Sequence, residues 1–299
     1  MEQLKQLLTA AGIAYKENEP LAAHCTFKIG GPARLFVQPA DRAQLCRAVA
    51  LCKAQGVRYY LLGNGSNILF ADEGYNGVVL DISSMRDTVE VHGTQLTAGA
   101  GVRLSALCKT ALEHSLTGLE FAYGIPGTVG GAVYMNAGAY GSELKDVLES
   151  VTFLDSDLQL RTLPAADLAM GYRTSIFEQN PDWCILSATV VLHRGDGAAV
   201  LARMQELLGK RREKQPLEWP SAGSTFKRPQ GAFAGKLIED CGLRGFTVGG
   251  AQISEKHCGF VINRGGATCA DVVALTEQVR QIVEARTGFV LEREIRVVK

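Results

Sequence analysis

The sequence predicts an α+β fold built from two or three subdomains, and three observations lead there. The chain has 299 residues, more than one small domain needs. Hydrophobic residues make up 46% and charged residues 21%, the composition of a globular chain with a large core. Strand-like and helix-like segments occur in runs and do not alternate strictly.

The elements read as follows. Leu4, Leu7 and Leu8 lie at helical spacing before Gly12. Asp41 is placed to cap a helix running to about Gln55, with Leu45, Val49 and Cys52 inward and Gly56 as its stop. Residues 57–62 read as a buried strand and 78–83 as another, and 88–101 as a hairpin turning at His92-Gly93. Residues 103–114 form a helix with Leu104, Leu107, Cys108 and Ala111 on one face. Residues 151–155 and 158–163 pair around Ser156-Asp157, and 183–193 is a longer strand. Asp196 caps a helix to about Arg212, with Val200, Leu201, Met204, Leu207 and Leu208 inward. Residues 215–235 carry three prolines and no sustained period, so they are a linker or a site loop. A short helix (236–241) and a strand (259–263) follow. Thr268 then opens a helix with Asp271 as its capping-box partner, burying Val272, Val273, Thr276, Val279 and Ile282 and ending at Gly288. The chain closes on a strand, 290–298.

Composition excludes several function classes. Lys+Arg and Asp+Glu both number 31, so there is no global basic surface for nucleic acid or an anionic membrane. No run approaches the ~18 apolar residues of a membrane span, and the start has no apolar signal core. Eight cysteines without a C-x-x-C pair read as reduced thiols of a cytoplasmic protein. The five histidines show no ligand spacing, so no metal site is expected.

Glycine departs from the average, at 33 of 299 residues, about 11% against a usual ~7%. The excess is clustered, and two clusters suggest a ligand. Gly63, Asn64, Gly65, Ser66 and Asn67 follow a strand directly. The N–H groups of such a turn can converge on a phosphate, with Ser66 and Asn67 adding side-chain donors; a plain strand-ending turn is the alternative. A Rossmann fingerprint is excluded, because the third glycine and a crossover helix are missing. Residues 124–141 hold six glycines among small and apolar residues, with Asn136 and Tyr140 the larger polar groups. That segment admits a flat, extended ligand, or else is a tightly packed loop crossing.

TFKIGGPA (26–33), LGNGSNILF (62–70), GIPGTVGGAVYMNAGAYG (124–141), YRTSIF (172–177), PSAGSTFKRP (220–229) and LEREIRVV (291–298) resemble, in order and spacing, the UDP-N-acetylenolpyruvoylglucosamine reductases, also called UDP-N-acetylmuramate dehydrogenases. The resemblance runs from about residue 20 to the C-terminus. It implies an FAD-binding fold of the vanillyl-alcohol-oxidase type in two subdomains (1–85 and 86–200), followed by a smaller α+β substrate domain (201–299) whose last strand returns to the active site. It also implies a cytoplasmic enzyme of peptidoglycan precursor synthesis, serving cell-wall biogenesis, cell shape and cell division. Its partners are a UDP-sugar and NADPH, with no nucleic acid or membrane, and a monomer or weak oligomer is expected. Non-covalent FAD is expected along Gly63, Asn64, Gly65, Ser66, Asn67, Gly127, Thr128, Gly130 and Gly131. No tyrosine follows Tyr172, which matches the subclass lacking a tyrosine capping loop.

Reducing an enol ether bonded to a carboxylate needs a hydride at one alkene carbon, a hold on the growing negative charge, and a proton at the other carbon. Arg173 reads on its own as a surface arginine or as a bidentate grip on the carboxylate; the resemblance assigns it the second role. Glu294 reads as a solvated strand residue, and the resemblance places it where the enolic intermediate is stabilised, in preference to Glu292. Ser224 lies in a Gly-Ser turn with no G-x-S-x-G elbow, and the resemblance makes it the proton donor. Lys214 could serve a helix C-terminus or, as the resemblance implies, the nucleotide diphosphate; the resemblance also sets Arg228 toward the nucleotide. The alternatives are an oxidase of the same flavin fold and a non-catalytic nucleotide-binding module, which a visible spectrum of the pure protein and its bleaching by NADPH discriminate.

Overall fold

The computed structural model describes residues 1–299. The chain divides into two compact units whose segments interleave. Met1–Lys16, Leu35–Asn64 and Gly77–Lys210 form the first, and Glu17–Arg34, Gly65–Asn76 and Arg211–Lys299 the second. Each unit is thus assembled from three separate stretches of the chain, and the strand Tyr75–Asp81 spans the boundary between Asn76 and Gly77.

In the first unit, five antiparallel strands lie in the order Leu160–Pro164, Leu148–Leu154, Cys184–Val191, Gln95–Gly99, Val89–His92. His92 pairs with Gln95, leaving a two-residue turn at Gly93-Thr94 with Gly93 at φ 68°, as short hairpins require. The helix Arg42–Ala54 starts where Asp41 accepts the Gln44 N–H at 2.9 Å. It buries Leu45, Val49 and Cys52, each large side chain contributing about 1.5–3 kcal/mol. The helix Leu104–Glu113 buries the four residues its spacing selects. The helix Gly197–Lys214 buries Val200, Met204 and Leu207 as expected, while Leu208 is half-buried and Leu201 is 42% exposed. Residues 57–62 also differ from expectation. The strand Tyr59–Leu62 is buried only at Leu62, although it pairs in parallel with Tyr75–Asp81.

In the second unit, the antiparallel order is Ser221–Ser224, Phe260–Asn263, Ala251–Ile253, Thr247–Val248. The segment 215–235, open between linker and site loop, thus contains a strand. The helix Cys269–Thr287 packs on the last two strands. Thr268 and Asp271 form the expected capping box, and Gly288 ends the helix at φ 75°. Its buried stripe is Val272, Leu275, Thr276, Val279 and Val283; Val273 and Ile282 are half-buried, one position off the i, i+3, i+4 stripe. Of the final segment only Arg296–Val298 is a strand, parallel to Ile68–Phe70, while within 291–295 Arg293 makes an isolated antiparallel bridge with Phe226.

Candidate active site

In the first unit the two glycine loops converge. Asn64 Nδ2 donates to the Pro126 carbonyl at 2.7 Å. A Cβ on Gly63 would lie 2.6 Å from Thr128 Oγ1, so glycine is what lets the loops touch. Thr128 is 1% exposed, and its hydroxyl caps the helix Val129–Tyr134 by accepting the Gly131 N–H at 3.3 Å. Gly130 faces inward: its N–H donates to the Ala100 carbonyl at 2.9 Å, and a Cβ would meet the Ala100 side chain at 2.9 Å. Gly127 and Gly131 differ. A Cβ on either would meet nothing closer than 3.4 Å, so the protein itself does not demand glycine there.

The turn carrying Arg173 is held by buried polar groups that sequence reasoning did not assign to it. Asn136, at 0% exposure, donates to the Gly171 carbonyl at 2.9 Å and to Glu143 at 3.0 Å, and accepts the Lys145 N–H at 3.0 Å. It is therefore a bracket, not a ligand-facing group. Ser175 donates to the Tyr134 carbonyl at 2.6 Å. Between them Arg173 takes φ 58°, a conformation that costs a non-glycine residue free energy unless its surroundings enforce it. Its guanidinium donates to the Gly138 carbonyl at 3.0 Å and lies 5.1 Å from the Tyr172 ring centroid. Tyr140 is 47% exposed and donates its hydroxyl to the Leu207 carbonyl.

The second unit holds Gly65, Ser66 and Asn67 together with Ser224 and Glu294. Gly65 has φ 60°, and a Cβ there would lie 2.4 Å from the His24 carbonyl oxygen. Its own carbonyl accepts the Thr26 N–H at 3.1 Å. No protein acceptor takes the N–H groups of Asn64, Gly65 or Ser66, which leaves them for an anion. Ser224 is exposed and paired with Phe260. The next residue, Thr225, is 1% exposed; its N–H donates to the Gly259 carbonyl, its hydroxyl accepts the Val261 N–H, and its carbonyl accepts the Glu294 N–H, each at 2.8 Å. Ser224 and Glu294 are thereby fixed on neighbouring backbones. Glu294 is half-buried, whereas Glu292 is 71% exposed and paired with Lys227. A cavity of about 460 Å³ is lined by residues of 291–297, Glu292 among them, and by Glu277 and Arg280 of the helix Cys269–Thr287; Glu294 is not among its lining residues.

Of the nucleotide candidates, Arg228 lies over the exposed Phe233 ring at 4.4 Å. Lys214 is exposed at the end of its helix. Burial pushes the His257 imidazole below its ordinary value, and Arg244 and Lys214 act in the same direction. All eight cysteines are unpaired, and burial pushes the Cys52 and Cys108 thiols up to about 12. No group of three or more His, Cys, Asp or Glu side chains is arranged to hold a metal ion, and no helix is long and apolar enough to cross a membrane. Thr225 was missed, and Asn136 was noted only as a larger polar group of the glycine segment, without its role beside Arg173. Their only sequence signal is a polar residue amid small or apolar neighbours.

The fold is α+β, and a family match places an FAD-binding domain in it. Residues 33–163 match the FAD binding domain family, and residues 215–298 match the UDP-N-acetylenolpyruvoylglucosamine reductase C-terminal domain. The chain is 46% identical over 298 residues to the UDP-N-acetylenolpyruvoylglucosamine reductase of Caldanaerobacter subterraneus subsp. tengcongensis, covering 100% of this chain and 97% of that one. It is 43% identical to the enzyme of that name from Clostridium perfringens, covering 100% and 99%. The crystal structure of UDP-N-acetylenolpyruvylglucosamine reductase from Thermus caldophilus superposes with a TM-score of 0.79 at 33% identity, over 96% of this chain and 99% of that one. A BBE-like 1 protein of Physcomitrella patens, at 23% identity and TM-score 0.50 over 64% of this chain and 44% of that one, shares the fold alone. The chain belongs to the UDP-N-acetylenolpyruvoylglucosamine reductase family.

Proposed function

We propose that this protein reduces the enolpyruvyl group of UDP-N-acetylglucosamine enolpyruvate to give UDP-N-acetylmuramate, using non-covalent FAD and NADPH. The observation that carries it is the 46% identity to a reductase of that name along the whole chain. The free N–H groups of 64–66 and the unhindered Gly127 and Gly131 fit a flavin nucleotide, its diphosphate at the first loop. Bound FAD, once reduced by NADPH, supplies the hydride. Arg173 grips the substrate carboxylate and opposes the charge that spreads onto it. Glu294 stabilises the same charge in the enolic form, and Ser224 delivers the proton to the remaining carbon. Lys214 and Arg228 neutralise the nucleotide diphosphate. The enzyme works in the cytoplasm as a monomer or weak oligomer, covers the uridine without a capping tyrosine, and serves the cell wall, cell shape and division.

The test separates two half-reactions by stopped flow. NADPH reduces the flavin without a proton to any substrate carbon, whereas reoxidation by the enolpyruvyl substrate needs one. Ser224→Ala should leave the first step within a few-fold of normal and slow the second by ~10²–10⁴-fold. Equal slowing of both steps would remove Ser224 from the donor role, and a colourless wild-type protein would remove the flavoenzyme reading altogether.

A further inference from the structure

We infer that Asn67 is a positioning residue for Glu294, the side-chain amide that sets the catalytic carboxylate in place. The parallel ladder between Ile68–Phe70 and Arg296–Val298 extends one bond further, where the Arg296 N–H donates to the Asn67 carbonyl at 3.0 Å. In a regular parallel ladder the next bond would run from the Asn67 main-chain N–H to the Glu294 carbonyl. Here Gly65 turns the chain aside at φ 60°, and Asn67 Nδ2 makes that bond instead, at 3.1 Å.

The substitution has two consequences. The peptide of Glu294 is clamped on both sides, its N–H by the Thr225 carbonyl at 2.8 Å and its carbonyl by Asn67. Thr225 in turn is buried and tied to Gly259 and Val261, so the clamp rests on the rigid sheet of the second unit, as a positioned catalytic group requires. The main-chain N–H of Asn67 is also released from the ladder. One residue can therefore serve the glycine loop through its backbone and Glu294 through its side chain.

The proposal rests on the reading of Glu294 given above. The variants are Asn67→Asp, isosteric but without the amide donor, and Asn67→Ser, too short to reach. In the holoenzyme both should slow flavin reoxidation by the enolpyruvyl substrate on the order of 10–100-fold, the scale of a small misplacement of a catalytic group. The KM for that substrate and the rate of reduction by NADPH should stay within about threefold of normal. Both half-reactions are read on holoenzyme saturated with FAD, with FAD affinity and thermal midpoint measured separately, so that weaker flavin binding or a lower midpoint does not enter the reoxidation rate. Added to Glu294→Gln, Asn67→Asp should slow reoxidation no further, because a positioning residue acts only through the group it positions. Normal reoxidation in the Asn67 variants, additive losses in the double variant, or equal slowing of both half-reactions overturns the proposal. If Glu294→Gln itself reoxidises normally, the proposal falls together with the reading of Glu294; if only the Asn67 variants do, that reading stands and the proposal alone falls.

Discussion

The two glycine-rich loops look alike in sequence, yet their glycines answer different demands. In 63–67 the protein itself excludes a side chain: Gly63 would strike Thr128, and Gly65 would strike the His24 carbonyl from a left-handed backbone. At Gly127 and Gly131 a methyl group would fit the protein without moving anything. Internal packing thus requires glycine at Gly63, Gly65 and also Gly130, whereas at Gly127 and Gly131 it does not, and there the proposed flavin nucleotide is what would exclude a side chain.

The largest effect that could break this contrast is at Gly65. Gly65→Val puts a β-branched residue at positive φ against a backbone carbonyl and should cost at least ~3 kcal/mol, read as a lower urea midpoint with flavin lost as a consequence. A stable Gly65→Val protein that merely lacks FAD would mean that this loop, too, is shaped by its ligand. Gly131→Ala is the opposite case. Apoprotein stability should be unchanged or up to ~1 kcal/mol higher, since alanine suits a helix better, while the Kd for FAD rises at least ~10-fold, or about 1.4 kcal/mol. Isothermal titration on the apoprotein decides it, and unchanged affinity would dissolve the distinction.

Two smaller effects sharpen it. Gly63→Ala should cost about 1–3 kcal/mol by overpacking and Thr128→Ala about 1 kcal/mol as a lost cap. The double variant should lose less than the sum by at least ~0.5 kcal/mol, because the clash disappears with the threonine. Additive losses in urea melts would mean the loops are not pressed together there. Asn64→Ala should show the least, about 0.5–1.5 kcal/mol for one partly exposed hydrogen bond, with FAD affinity nearly intact.

Local chemistry made much of this legible. Asp41, the Thr268–Asp271 box and Gly288 mark helix ends through bonds made within a few residues, and all are found in place. Glycine excess marked the loops for a similar reason. What stayed hidden depends on residues far apart in the chain. Nothing near Asn67 indicates that its amide meets Glu294, and nothing in LEREI shows that the ladder starts only at Arg296. Alternation also overextends strands: in 57–62 only Tyr59–Leu62 is a strand, and 290–298 divides between a single bridge at Arg293 to Phe226 and the strand Arg296–Val298. The catalytic candidates were reached through motif resemblance. Taken alone, Arg173, Ser224 and Glu294 are ordinary polar residues without a pattern that marks them as functional.

The parallel pairing of Ile68–Phe70 with Arg296–Val298 has a consequence in time. The N-terminal strand of the pair is made early, and its partner does not exist until nearly the whole chain has been synthesised. At roughly 5–20 residues per second, the interval is on the order of 10–45 s. Throughout it the edge of Ile68–Phe70 that awaits Arg296 is an open, apolar template of the kind that recruits wrong strands. The three residues that close it set the earliest moment at which the second unit can be finished.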